Sequence, residues 1–160
     1  MSGFKDCYTC DRETDLLVNL ELPVREDIAH DEHWRVVHAT GTALAGWLVL
    51  VPRRHVTAIA ELTDAEAAAL GSWQVRVSRA LHTVTGCVKT YIAQFAEAEG
   101  YSHVHFHIVP RQPNLPKELS GPRVFGFMGG ETGGKLVTDA RADAISQRIR
   151  VALEEQQEPK

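Results

Sequence analysis

Residues 102–110, with the sequence Ser-His-Val-His-Phe-His-Ile-Val-Pro, place a histidine at every second position. Successive side chains of a β-strand point to opposite faces of the sheet, so this period of two predicts a strand with His103, His105 and His107 on one face. The apolar residues between them would share the other face and pack into a core: Val104, Phe106 and Ile108.

Three imidazoles on one face of a sheet allow two kinds of chemistry. An imidazole has an ordinary pKa of about 6.5, so it is a usable nucleophile at neutral pH, and its neighbours can donate hydrogen bonds to an anionic group. Neutral imidazoles are also common ligands of zinc and copper. The row alone predicts a reactive or metal-binding site and leaves these two alternatives open.

Composition narrows the class of protein. A chain of 160 residues with 44% hydrophobic and 24% charged residues is typical of one globular domain with its own core. The formal net charge of −4 offers no basic field for nucleic acid. We expect no membrane span, because no apolar run approaches about 20 residues, and a cytoplasmic location, because residues 1–6 lack a signal-peptide core.

Cys7 and Cys10 form a C-x-x-C pair near the N-terminus, and the only other cysteine is Cys87. Three cysteines make no disulfide framework. The pair can hold a zinc ion if two further ligands come from elsewhere in the chain. A redox pair would normally begin a helix after a strand, which this position does not favour, and two ordinary reduced thiols are the remaining alternative.

Apolar patterning and turn residues predict an antiparallel sheet with helices set apart from it. Strands are expected at residues 34–39, 47–52 and 89–95 and in the histidine row, and the short connection over residues 96–101 predicts a hairpin between the last two. Residues 16–22 are expected to form a strand or a loop.

Two helices are predicted. Thr63 and Glu66 form a capping box that begins a central helix, and Gly86 is expected to end it after Thr85. We therefore expect an α+β domain with a core over residues 1–111, a Pro- and Gly-rich loop over residues 112–138, and a C-terminal helix and tail over residues 139–160.

These motifs together resemble the histidine triad (HIT) family of nucleotide hydrolases and transferases. The family motif is a histidine followed by an apolar residue three times and then a further apolar residue, and residues 103–109 match it in full. The run from Gly46 to His55, an apolar strand followed by Pro, basic residues and His, is similar to the family's other recurrent block. The resemblance extends from Cys7 to Arg111 and implies a HIT-like fold.

The resemblance also implies a mechanism. His105, the middle histidine, would attack the α-phosphate of a nucleotide conjugate, such as a dinucleoside polyphosphate, an adenylate or a phosphoramidate, and form a nucleotidyl-histidine intermediate. His107 would donate to a phosphate or leaving-group oxygen. The alternatives are a nucleotide-binding regulatory module with little catalysis and a metal protein in which all three histidines bind one ion.

Some bacterial HIT proteins hold a structural zinc, and the resemblance implies the same ligand set here: Cys7, Cys10, His55 and His103. No catalytic metal is then required. The resemblance further implies a homodimer, to which the apolar segment 124–128 was expected to contribute a surface for a second subunit.

The sequence departs from the family pattern near the substrate. Trp47 stands where members often have a histidine after Gly, and Ala39 stands where an acidic residue often contacts the ribose, so His38 is expected to compensate. Gln94 and Ser102 are the expected phosphate contacts, although their spacing differs from the usual one. These departures bear on the choice of nucleoside and leaving group and do not affect His105.

Overall fold

A five-stranded antiparallel sheet is the centre of the computed structural model, which describes residues 6–18, 20–130 and 134–157. The strand order is β1-β2-β3-β5-β4, and every neighbouring pair is antiparallel. The strands are β1 Ala29–His30, β2 Trp34–His38, β3 Leu48–Pro52, β4 Lys89–Ala93 and β5 Phe106–Arg111. The predicted α+β class and the β4–β5 hairpin are confirmed.

The α-helices of the described residues are α1 Tyr8–Leu17, α2 Asp64–Thr85 and α3 Asp139–Glu155. The predicted capping box is present at the start of α2, where Thr63 accepts from the Glu66 backbone N–H and the Glu66 carboxylate accepts from Thr63 N–H. Gly86 ends the helix at φ 68°, in the left-handed region that glycine adopts without strain.

Apolar side chains form a core on each face of the sheet. On one face, α2 and α3 cover the larger core, which includes Trp34, Leu50, Phe106 and Ile108. On the opposite face a smaller cluster contains Trp47, Val49, Val51, Val109 and Val124. The alternation predicted for the histidine row is confirmed, since its apolar residues enter the larger core.

The predicted strand or loop over residues 16–22 is wrong in part, because α1 extends to Leu17. The C-x-x-C pair therefore begins a helix, with Cys7 at its N-cap. The buried residue of α1 is Glu13, a carboxylate, so the helix lacks the apolar stripe by which an amphipathic helix is recognised.

The histidine strand begins later than expected, at Phe106. The β3–β5 pairing covers only Leu48–Leu50 and Phe106–Ile108. Strand β3 ends at Pro52, and proline has no N–H to donate to a hydrogen bond between strands. His103 and His105 lie in the irregular segment just before β5, with a bend at His103.

Residues 112–130 are more ordered than the expected loop. They contain 3-10 helices at Lys117–Leu119 and Gly121–Phe127, and residues 124–128 pack on the smaller core of their own chain. Val124 is buried there, while Phe125, Phe127 and Met128 are partly buried, and the contribution of this segment to a subunit interface stays a prediction. Two further 3-10 helices are Val24–Glu26 and Ile59–Glu61. Of the helices in residues 6–18, 20–130 and 134–157, none is long and apolar enough to cross a bilayer.

Candidate functional site

A cavity of about 570 Å³ lies on the sheet face opposite α2. Strand register builds its floor: Val37 pairs with Val49, and Val49 pairs with His107, so one row of side chains crosses three strands. His105 lies on the same wall, two residues before His107. The two histidines therefore border an apolar floor.

Aromatic and polar side chains complete the wall of the cavity. The aromatic residues around it are Tyr8, Phe95, Tyr101 and Phe125. Glu26 is the buried carboxylate of the wall, and the Tyr8 hydroxyl donates to it at 2.6 Å. An apolar floor with aromatic walls and few polar groups suits a flat, partly apolar ligand.

His105 is oriented as a nucleophile. Its Nδ1 lies 2.8 Å from the His103 carbonyl oxygen. A carbonyl only accepts hydrogen bonds, so Nδ1 carries the proton and Nε2 keeps a free lone pair. The ring is only partly buried, which leaves it accessible from the cavity.

His107 has the opposite tautomer. The Trp47 indole Nε1 donates to His107 Nδ1 at 3.0 Å, and an indole N–H can only donate. The proton of His107 therefore lies on Nε2. Burial, and to a smaller extent the neighbouring His105, lower the pKa of His107 to about 4, so the ring is neutral at physiological pH. The two histidine ring centroids are 4.9 Å apart, so a ring with a free lone pair neighbours a ring with an N–H donor.

A second cluster includes His103, the first histidine of the row. One ligand atom from each of Cys7, Cys10, His55 and His103 lies within 4.8 Å of the others. The Nδ1 of His103 is 3.6 Å from both sulfurs, and Cys10 Sγ is 3.1 Å from His55 Nδ1. A tetrahedral zinc with bonds of about 2.3 Å to sulfur and about 2.0 Å to nitrogen separates those ligand atoms by about 3.5 Å. The cluster fits a metal ion of this kind.

The second nitrogen of His103 supports that arrangement. Its Nε2 donates to the Pro52 carbonyl at 2.8 Å, which leaves the lone pair of Nδ1 directed at the cysteines. Burial, and the Cys7 sulfur beside it, raise the pKa of the Cys10 thiol to about 12, so a pair of thiolates needs a cation between them.

Among the described residues, this is the one group of three or more histidine, cysteine and carboxylate donors close enough to hold an ion. Neither His105 nor His107 belongs to it, which argues against a single ion bound by the whole histidine row.

Comparison with known proteins identifies the family. The family model for the HIT domain matches residues 25–114, more than half of the chain. The chain belongs to the histidine triad family. No curated protein matches it. Membership supports a nucleotide-binding hydrolase or transferase in general.

Solved HIT structures share the fold. A zinc-bound histidine triad protein from Mycobacterium smegmatis is 18% identical with a TM-score of 0.67, over 96% of this chain and 97% of that one. A hypothetical histidine triad nucleotide-binding protein from Sulfolobus tokodaii is 16% identical with a TM-score of 0.66, over 92% and 94%. A histidine triad protein from Bradyrhizobium japonicum is 27% identical with a TM-score of 0.64, over 79% and 89%.

The residues predicted to contact substrate are not all at the cavity of this HIT protein. Gln94 and Ser102 do not line it, although their neighbours Phe95 and Tyr101 do. His38 does line it, but both of its ring nitrogens are used within the chain: Nδ1 donates to the Ala39 carbonyl, and Nε2 accepts from a backbone N–H at 3.0 Å. These three substrate contacts stay predictions.

Two features of the site were missed from the sequence. Trp47 was noted only as a missing histidine, and its donor role depends on the β3–β5 register, which brings it beside His107. Glu26 and Tyr8 meet in the wall although they are 18 residues apart in the chain, and no motif connects them. Of these two features, only the Trp47 donor could have been inferred from the sequence, because an indole stands at that position.

Proposed function

We propose that this HIT protein is a nucleotide hydrolase or nucleotidyl transferase in which His105 attacks the α-phosphate of a nucleotide conjugate. The observation that carries the proposal is the pairing of tautomers in two neighbouring rings at the edge of an apolar cavity: His105 has a lone pair on Nε2, and His107 has an N–H on Nε2. A nucleophile and an oxyanion donor are the two groups that phosphoryl transfer requires of a protein.

The proposed reaction has two steps. The lone pair of His105 Nε2 forms a bond to the α-phosphorus, and the bond from phosphorus to the leaving group breaks with its electrons on the leaving group. Water then attacks the same phosphorus, the P–N bond breaks with its electrons returning to Nε2, and the water proton passes to solvent. The nucleoside monophosphate is released, while a transferase would use another acceptor in place of water.

The floor and walls of the cavity suit the nucleoside. Val37, Val49 and Phe125 offer apolar surface to a base, and the Glu26 carboxylate offers an acceptor to an N–H or hydroxyl group. His38, Gln94 and Ser102 remain the proposed further contacts. The proposed recognition is thus apolar over most of the base and polar at one end.

We propose zinc as the metal held by Cys7, Cys10, His55 and His103, because two thiols and two imidazoles at tetrahedral spacing are the ligands of structural zinc sites. When bound, zinc would connect the start of α1 to the segments after β3 and before β5. The proposed role is structural.

A homodimer is the proposed assembly. Strand β4 lies at the edge of the sheet, and Val75, Val88 and Ile92 near it are about half exposed. An exposed edge strand with apolar neighbours is a surface that a second copy can cover. A monomeric mass by light scattering at micromolar concentration would contradict this assembly.

The decisive experiment uses a nucleotide conjugate radiolabelled at the α-phosphate. Brief incubation and acid-free quenching should give a labelled protein, and His105→Ala should remove both the label and turnover, by about 10³-fold or more. His82→Ala is the matched control, because His82 is an exposed histidine on α2, and it should keep both. Nucleoside monophosphate binding without label or product would favour the regulatory module instead.

A further inference from the structure

The Trp47 indole fixes the proton of His107, because it donates to Nδ1 of that ring. Trp47 is fully buried, His107 is 9% exposed, and the Nε1–Nδ1 distance is 3.0 Å. The indole N–H cannot turn away, because the ring also packs edge-on against Phe125 with centroids 5.1 Å apart. His107 Nδ1 is therefore held as an acceptor.

Protonating His107 would place two N–H donors against each other in a buried site. The groups that face it are His105 on its own segment, Trp47 just before β3 and Phe125 from the Gly121–Phe127 helix. Of the described residues in contact with it, only His105 can titrate, and none is a carboxylate that would stabilise an imidazolium. A buried His107 imidazolium would therefore have no neighbouring negative charge to stabilise it.

A neutral His107 can donate a hydrogen bond from Nε2 but cannot give that proton away, because an imidazolate would result. We propose that this protein acts on nucleotide anhydrides, in which the α-phosphorus is bonded to an oxygen of a phosphate or a carboxylate, and discriminates against phosphoramidates. Trp47 is the positioning residue that sets this selectivity. The inference rests on the proposed function and narrows its substrate class.

The two bonds differ in what their leaving groups require. When the P–O bond of an anhydride breaks, both electrons stay on an oxygen that is stable as an anion, and the N–H of His107 Nε2 stabilises it without transferring a proton. When a P–N bond breaks, the nitrogen must gain a proton to leave as an amine, so the step needs an acid. Tyr8, the half-buried phenol of the wall, does not supply one readily, because it donates to Glu26 and burial raises its pKa.

The test compares two adenosine monophosphate conjugates, benzoyl adenylate and the N-benzyl phosphoramidate, in wild type and Trp47→His. The quantity measured is the ratio of kcat/KM for the phosphoramidate to kcat/KM for the anhydride. Comparing this ratio between variants cancels the different intrinsic reactivity of the two bonds. A histidine at position 47 can accept as well as donate, so His107 gains access to a transferable proton and the ratio should rise by about 10-fold or more.

Trp73→Phe is the matched control, because it removes another buried indole N–H. The Trp73 indole donates to Asp31, with 2.6 Å between Nε1 and Oδ2, and neither residue lines the cavity. Its ratio should equal that of wild type. An unchanged ratio in Trp47→His would overturn the inference, as would an equal increase in Trp73→Phe. Absence of a labelled His105 intermediate with either substrate would instead overturn the proposed function.

A second measurement needs no variant at position 47. Nitrogen-15 chemical shifts of the wild-type side chains should show His107 protonated on Nε2 and unprotonated on Nδ1 from pH 5.5 to 8. A proton on Nδ1 in that range would overturn the inference even if Trp47→His does not fold.

Discussion

Replacing Glu13 by Gln should destabilise the protein far more than a typical substitution on a polar helix. The Glu13 carboxylate is buried and accepts from two arginines, Arg35 on β2 and Arg53 just after β3. The Arg35 side chain is only 2% exposed, and its Nε lies 3.1 Å from Glu13 Oε2. Gln keeps the size of the side chain but removes the charge that balances a buried guanidinium.

The size of the effect follows from that burial. Removing one partner of a buried ion pair costs about 3–5 kcal/mol, because the other charge is left uncompensated. Arg35 also donates to the carbonyl oxygens of Glu26 and Thr9, and Gln retains one acceptor oxygen, so we expect the lower end, about 3 kcal/mol. For a chain of this size that lowers Tm by about 6–12 °C.

Urea denaturation and thermal melts of Glu13→Gln measure this cost directly, and Asp15→Asn is the control on the same helix. Asp15 pairs with Arg12 at 2.9 Å, and both side chains are a quarter to a third exposed, so its loss should cost less than about 0.5 kcal/mol. If Glu13→Gln costs no more than Asp15→Asn, the buried ion pair does not hold α1 to the sheet and the reasoning is wrong.

Two further predictions concern acid stability and the metal. Hydrogen bonds from Arg54 lower the pKa of Glu66 from 4.5 to about 2. The ionised Glu66 carboxylate therefore contributes fully to the free energy of unfolding above pH 4.5, and this contribution is lost as the pH falls towards 2. Arg54 is half exposed, so we expect about 1–2 kcal/mol, and acid titration of Glu66→Gln by circular dichroism should lack this loss. Native mass spectrometry should find one zinc in wild type and in His105→Ala but none in Cys7→Ser, and zinc loss in His105→Ala would contradict the proposed ligand set.

Much of the fold was predictable because local signals agreed with tertiary packing. The period of two in the histidine row correctly separated the residues on the two faces of the sheet, because Phe106 and Ile108 lie in the larger core. Thr63 and Gly86 marked the ends of α2 because capping depends on side chains within one turn of the helix end. Such signals are contained in a few consecutive residues.

Other features depend on contacts between distant residues. Nothing local to α1 indicates a helix, because its inward residue is Glu13 and the partners of that carboxylate are on β2 and just after β3. The role of Trp47 likewise required the register that places its indole against His107, 60 residues away. Long-range pairing of polar groups has no periodicity, so a sequence pattern cannot show it.

The histidines of the row differ in tautomer, since His103 and His107 carry the proton on Nε2 and His105 carries it on Nδ1. Their neighbours explain why one motif can serve two sites. His103 donates from Nε2 to Pro52 and directs Nδ1 to the cysteines, while its backbone carbonyl accepts from Nδ1 of His105. The residue that fixes the proposed nucleophile is therefore also a proposed metal ligand. Because holding the His103 side chain also restrains its carbonyl, the cysteine–histidine cluster can position His105 without contacting the substrate.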